Sequence, residues 1–170
     1  KGLTLRTSFN TDISYSNATY FNPTYDWGSN ARNPSAVLNN FTNNSTYWNW
    51  NQLAEYNKQI GKHSIGLMAS HEAQQSNWQN MSAGRTGFLT TDVLDLSAGA
   101  QVGATNGGGS GPWGMESYLG RLNYNFDNRY ILTGTFRRDG SSNFGAEKQW
   151  GSFPSVSAAW RVSQERFFNV

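Results

Sequence analysis

Residues able to do chemistry are few in this 170-residue chain, and their spacing argues against catalysis. The two histidines, His63 and His71, fall on one parity of an extended segment. Eight residues of strand hold them more than ~25 Å apart, too far to share a metal ion. His71-Glu72 lacks the second histidine of a zinc-protease helix and sits in a strand pattern. The run Gly107-Gly108-Gly109-Ser110-Gly111-Pro112 neither follows a strand nor opens a helix, so it reads as a flexible loop rather than a phosphate cradle. No serine or carboxylate pair stands in a catalytic setting, and no enzyme activity, cofactor or metal is expected. Cysteine is absent, which excludes disulfide frameworks and thiolate metal sites.

Two groups remain as candidates for contact with a substrate or partner. Arg137, Asp139, Ser141 and Ser142 cluster where an alternating segment ends. They form either a polar shelf or a plain strand-to-loop transition with Asp139 as turn former. Trp78 and Trp113, with Tyr25 and Trp27, fall in expected loops. There they can stack on sugar rings or simply pack the loop.

The elements that must position these residues are strands. Around the polar pair Asp127-Asn128, a tight-hairpin signature, one parity carries Tyr118, Leu122, Tyr124, Phe126, Tyr130, Leu132 and Phe136. The other parity carries Arg121, Asn123, Asn125, Arg129, Thr133 and Thr135. Similar alternation predicts strands over 3–15, 46–60, 63–74 and 155–162, with Gly61-Lys62 as a second short turn. Long polar connections are expected over 16–45, 75–115 and 140–150, and a helical turn capped by Ser163 over 163–168. By parity Arg138 continues the apolar row. It must then lie at the edge of an apolar belt, or the strand must bulge at Gly140.

Charged residues make up only 14% of the chain and aromatics 15%, with a mean hydropathy of −0.66. No run approaches the ~18 apolar residues of a membrane helix. Long strands with aromatic ends, short turns on one side and long loops on the other point to a transmembrane β-barrel. At ~45° tilt a strand climbs roughly 2.4 Å per residue, so residues 118–126 rise about 19 Å and 48–60 about 28 Å, bracketing a ~25 Å apolar band. Trp48, Trp50 and Tyr118 would form an outer aromatic girdle, and Tyr124, Phe126, Tyr130 and Trp160 an inner one. The fold class expected is therefore all-β: an antiparallel transmembrane barrel segment of about six long strands in three hairpins, with short periplasmic turns and long extracellular loops. The net charge of +2 comes from scattered basic residues and offers no nucleic-acid stripe.

The run Tyr118-Leu119-Gly120-Arg121-Leu122-Asn123-Tyr124-Asn125-Phe126, with Arg129-Tyr130-Ile131-Leu132, closely resembles SusC/RagA-type TonB-dependent transporters. So do Arg137-Arg138-Asp139-Gly140-Ser141-Ser142-Asn143-Phe144-Gly145 and Trp150-Gly151-Ser152-Phe153-Pro154-Ser155-Val156. The family usually has arginine where this chain has Asn143, which weakens any ion pair that arginine would make but leaves the resemblance intact. Gly2-Leu3-Thr4-Leu5-Arg6, Gly61-Lys62-His63 and Ala83-Gly84-Arg85-Thr86-Gly87-Phe88 are also similar. The resemblance implies a large barrel in the Gram-negative outer membrane, of which residues 1–170 are an incomplete part, without plug, TonB box or signal peptide. It further implies import of oligosaccharides or peptides, a SusD-like surface lipoprotein as partner, and energy from TonB–ExbB–ExbD through parts outside these residues. A TonB-dependent receptor for an iron chelate or vitamin, and a soluble β-sandwich glycan-binding module, are the alternative readings.

Overall fold

The computed structural model describes residues 2–28 and 31–168. Residues 29–30, within the first expected loop, lie outside them. Among the described residues there are eight strands: β1 (Leu3–Asn22), β2 (Tyr25–Asp26), β3 (Arg32–Asn33), β4 (Val37–Ile60), β5 (His63–Thr86), β6 (Thr105–Phe126), β7 (Tyr130–Ser141) and β8 (Trp150–Trp160). Six of them form one antiparallel sheet in the order β1-β4-β5-β6-β7-β8, and β2 pairs with β3 in a small ribbon.

Both short turns form. Asp127 and Asn128 take φ of 54° and 55°, a left-handed pair, and the Arg129 amide donates to the Phe126 carbonyl at 2.9 Å, but the loop runs over three residues, 127–129, rather than the two expected, because Phe126 pairs with Tyr130. Gly61, at φ 56°, opens the other turn. The other connections, 23–36, 87–104 and 142–149, are longer, so the alternation of short and long connections along the chain holds.

Several expectations are corrected. The strands run well past their predicted ends, and most of 37–45, 76–86 and 105–115 is sheet rather than loop. The glycine run lies inside β6. Gly108 stands there because a Cβ would come within 2.7 Å of the Asn80 carbonyl oxygen, closer than any side chain tolerates. Trp78, Trp113 and Tyr25 therefore sit on strands, and Trp27 alone of the four lies in a connection. The last predicted strand begins earlier, at Trp150. Val162–Gln164 forms a single 3-10 turn whose N-cap position is Arg161 without a side-chain cap, so Ser163 does not cap it.

The chain divides into two compact units. In the unit made of residues 1–11, 47–75 and 113–170, the register runs unbroken from Phe126↔Tyr130↔Trp160 to Glu116↔Gly140↔Trp150, so β7 carries no bulge at Gly140. Because side chains alternate across a strand, one face carries Leu122, Leu132, Phe136 and Val156, the last 78% exposed. The other carries Arg121, Asn123, Thr133, Thr135 and Ser155. A row of large apolar side chains left open on one face is the mark of a surface made for a non-aqueous neighbour. At one end of that face Phe126 stacks on Tyr130, ring centroids 6.3 Å apart, beside Trp160. At the other, Tyr118 and Trp150 stack at 6.1 Å, and the Arg138 guanidinium lies 5.1 Å over the Trp150 ring.

The second unit, residues 12–46 and 76–112, holds a small core of its own. Leu38 is fully buried with Ala36 and Phe88, and Phe21 and Leu96 pack against them. Phe21 meets Phe88 edge to face at 5.9 Å. The cluster ties the ends of β1 and β4 to the segment that leaves β5, and the Gly87 amide donates to the Ala36 carbonyl at 3.1 Å.

Candidate functional site

On the polar face of β7, Arg137 and Asp139 stand two residues apart and therefore side by side. Arg137 Nε donates to both Asp139 oxygens at 2.8 Å, and its Nη2 reaches the Ser117 hydroxyl at 3.5 Å. Ser117, opposite Asp139 in the register, is one of the few buried polar side chains. The arginine and aspartate thus satisfy one another before any ligand arrives. Ser141 and Ser142 do different work. The Ser141 hydroxyl accepts from the Asn143 amide at 3.3 Å. Ser142 exchanges two bonds with Gly114 on β6, donating through its amide and accepting through its hydroxyl, each at 2.9 Å. Ser142 thereby pins the start of the 142–149 connection against β6, while Ser141 holds the first turn of the connection itself.

Trp113 shares with Asp139 and Ser141 a concavity of about 500 Å³ that Met115, Phe144 and Phe153 also wall. The structure therefore brings four of the sequence-chosen residues, Arg137, Asp139, Ser141 and Trp113, to one neighbourhood. The sequence reading did not single out Phe153, which follows Arg137 across the β7–β8 register, or Phe144. An aromatic on the polar parity of a strand is the signal that would have found Phe153.

Trp78 belongs to the other unit. Its indole lies across the glycines of β6, at 3.5 Å from the place a Cβ of Gly109 would take and 3.1 Å from that of Gly111. The ring covers backbone that glycine leaves bare. Tyr25 and Trp27 stack at 4.6 Å beside the β2–β3 ribbon.

The polar face of β4 and β5 is lined by amides. Tyr47 donates to Gln74 at 2.8 Å, and Asn49 donates to Glu72 at 2.7 Å while accepting from Asn51. Such a surface offers many neutral donors and acceptors with little net charge, suited to polar uncharged ligands. Among the described residues no three His, Asp or Glu side chains gather as metal ligands.

The histidines end up at opposite ends of the apolar face. His63 Nδ1 lies 2.7 Å from the Tyr124 hydroxyl, with its ring beside Phe126. His71 stacks on Tyr118 at 4.8 Å, and its Nε2 lies 2.9 Å from Glu116 Oε1, which also accepts from Tyr118 at 2.6 Å.

A charged network, invisible to local pattern, joins the turns. Lys62 Nζ is 2.9 Å from Asp127 Oδ2, and Arg129 bridges Asp127 and Glu165 at 3.4 Å each. Glu165 also accepts from the Tyr130 hydroxyl at 2.8 Å and the Trp160 indole at 3.1 Å. The bond from Lys62, helped by its charge and that of Arg129, holds the Asp127 carboxyl below its ordinary range. The bonds from Tyr130 and Trp160, then the Arg129 charge, do the same for Glu165.

No family model matches the chain. The TonB-dependent receptor P3 of Formosa agariphila is 35% identical over 114 residues, which are 66% of the chain and 11% of that protein. The TonB-dependent receptor SusC of Bacteroides thetaiotaomicron is 30% identical over 145 residues, 84% of the chain and 14% of that protein. A solved structure, the RagAB peptide transporter, superposes with a TM-score of 0.88 over 98% of the chain and 19% of its own length, at 22% identity. That likeness concerns the fold. The chain spans less than a sixth of the length of P3 and SusC.

Proposed function

We propose that this chain, a β-barrel segment of the SusC/RagA type of TonB-dependent receptor, forms part of the wall of an outer-membrane importer. The observation that carries the reading is the division of one sheet into two chemistries. An exposed apolar face between aromatic rows suits lipid, and a polar, amide-lined face suits a wet passage. Both tight turns lie at one end, as periplasmic turns do. In this reading the longer connections face outward.

The cargo is an oligosaccharide or peptide, and a SusD-like surface lipoprotein works with the barrel. Two observations support this class. The lumenal wall presents neutral hydrogen-bonding groups, and the Trp113, Phe144 and Phe153 concavity places rings next to the Arg137–Asp139 pair. Arg137, Asp139, Trp113 and Trp78 make the contacts with cargo or partner, while Ser141 and Ser142 hold the connection that frames them. Energy comes from TonB through parts of the protein other than this segment.

The test is uptake by cells carrying the full-length transporter. Labelled oligosaccharide or peptide should enter only when TonB is intact. Trp113→Ala should lower the apparent affinity several-fold, since a lost aromatic contact is worth about 1 kcal/mol or more, with outer-membrane insertion unchanged. Uptake that persists without TonB would overturn the reading.

A further inference from the structure

The strands of the second unit carry an uncharged polar surface. Over 12–22, 37–46, 76–86 and 105–112, its stretches of β1, β4, β5 and β6, Asp12 and Arg85 are the only charged residues. Water-exposed protein surface ordinarily carries far more charge. Here Tyr15, Asn44, Thr46, Asn77, Gln79 and Ser110, drawn from all four strands, line an open hollow of about 410 Å³. Asn44 and Thr46 share one parity of β4, and Asn77 and Gln79 one parity of β5, so each pair projects to a single face. Tyr15 stands 72% exposed at the β1 side, and Trp78 also borders the hollow. No charged side chain lines it among the described residues. In the first unit polar side chains occupy one another, as Tyr47 does Gln74 and Asn49 does Glu72. Among the described residues the six lining side chains make no such mutual bond, which leaves their donors and acceptors open to a ligand.

We infer that this hollow is a binding site for a neutral oligosaccharide, separate from the Trp113 concavity, with which it shares no residue. The inference rests on the import reading in one respect, that saccharide reaches this protein at the cell surface. Sugar hydroxyls both donate and accept, and the amides of Asn44, Asn77 and Gln79 supply both roles side by side. The C–H face of a sugar ring is apolar and packs on an aromatic ring, the part Tyr15 plays. An acidic sugar or a peptide terminus finds no counter-charge in this lining, and the polar groups exclude an acyl chain. Four strands at ~4.8 Å spacing span about 14 Å, room for a short chain of sugar units lying across them.

The test uses the full-length transporter in a polyoxyethylene detergent, which has no sugar headgroup, with a spin label on the single cysteine of Met81→Cys. Met81 shares the β5 parity of Asn77 and Gln79 and is 60% exposed. Neutral hexasaccharides of glucose, mannose and xylose are the probes, and a galacturonate hexamer is the charged control. The label should broaden the proton signals of at least one neutral hexasaccharide and not those of the galacturonate hexamer. Tyr15→Ala should weaken that binding about fivefold, the worth of one aromatic contact, while Tyr15→Phe retains it. Gln79→Ala should weaken it as well, and Trp113→Ala should leave it unchanged. Tyr15 and Gln79 are both exposed, and heat-modifiable mobility reports that each variant folds. Broadening of no neutral hexasaccharide, equal broadening of the galacturonate hexamer, or unchanged affinity in Tyr15→Ala overturns the proposal. Uptake that stays TonB-dependent in that event leaves the import reading standing. Binding at the label together with TonB-independent uptake would uphold the site and remove the import reading.

Discussion

Lys62 Nζ donates to Asp127 Oδ2 at 2.9 Å, linking the turn between β4 and β5 to the turn between β6 and β7. Sixty-five residues of chain separate the partners, so the bond reports that the two hairpins lie side by side at one rim.

That link carries a pH signature. A carboxyl whose folded pKa is lowered stabilises the protein above its unfolded value, here the ordinary 3.8, and loses the contribution as pH falls through the folded value. Urea unfolding of the detergent-solubilised transporter should show an added loss of stability below about pH 4. Asp127→Asn should remove part of it. The effect is modest because the pair is solvent-screened, and raising the salt should shrink it further. An unchanged acid limb in Asp127→Asn would show that the rim link contributes nothing.

Opposite faces should respond oppositely to charge. Leu132→Arg places a cation on the apolar face, where it should cost roughly 2–4 kcal/mol near midplane, while Thr133→Arg on the polar face should cost little. The fraction of heat-modifiable, folded transporter in outer membranes measures both. Equal losses, or the reverse order, would mean the faces are assigned inside out.

The core of the second unit should act locally. Phe88→Ala removes the edge-to-face partner of Phe21 and one of three buried apolar side chains, a loss of ~3–5 kcal/mol. Limited proteolysis should then cut within 87–104 while heat-modifiable mobility persists. Loss of the folded barrel band itself would place this core in the barrel's own stability.

The glycine run should discriminate position by position. Gly108→Ala drives a methyl to within 2.7 Å of the Asn80 carbonyl oxygen and should cost about 1–3 kcal/mol through strand displacement. Gly109→Ala meets the Trp78 ring at an ordinary 3.5 Å and should be tolerated. If denaturant midpoints for the two variants coincide, the close strand approach at Gly108 is not what glycine serves there.

How much of this was legible in the sequence follows from what surrounds each strand. Over 118–136 one face is apolar and the other wet, so Leu122, Leu132 and Phe136 alternate visibly with Asn123, Thr133 and Thr135. Over 37–45 and 76–86 most side chains on both faces are polar, and asparagine-rich strand reads as loop. The glycine run looked like a loop because the ring that covers it, Trp78, comes from another strand. Arg137 and Asp139 could be paired from their i, i+2 spacing. The bonds of Ser142 to Gly114, and of Lys62 to Asp127, depend on sheet neighbours that no local pattern encodes. The small core of Leu38 and Phe88 was missed for the same reason, since its members lie fifty residues apart in polar stretches.

The most direct test of the wall assignment is a spin-label scan. The chain has no cysteine, so single cysteines at Leu122, Asn123, Tyr124, Leu132 and Thr133 in the full-length transporter report without background from this segment. Collision rates with oxygen, which concentrates in lipid, and with a water-soluble nickel chelate should alternate with a period of two. The account predicts that Leu122, Tyr124 and Leu132 favour oxygen while Asn123 and Thr133 favour nickel. A flat profile, or nickel access at Leu122 and Leu132, would contradict it.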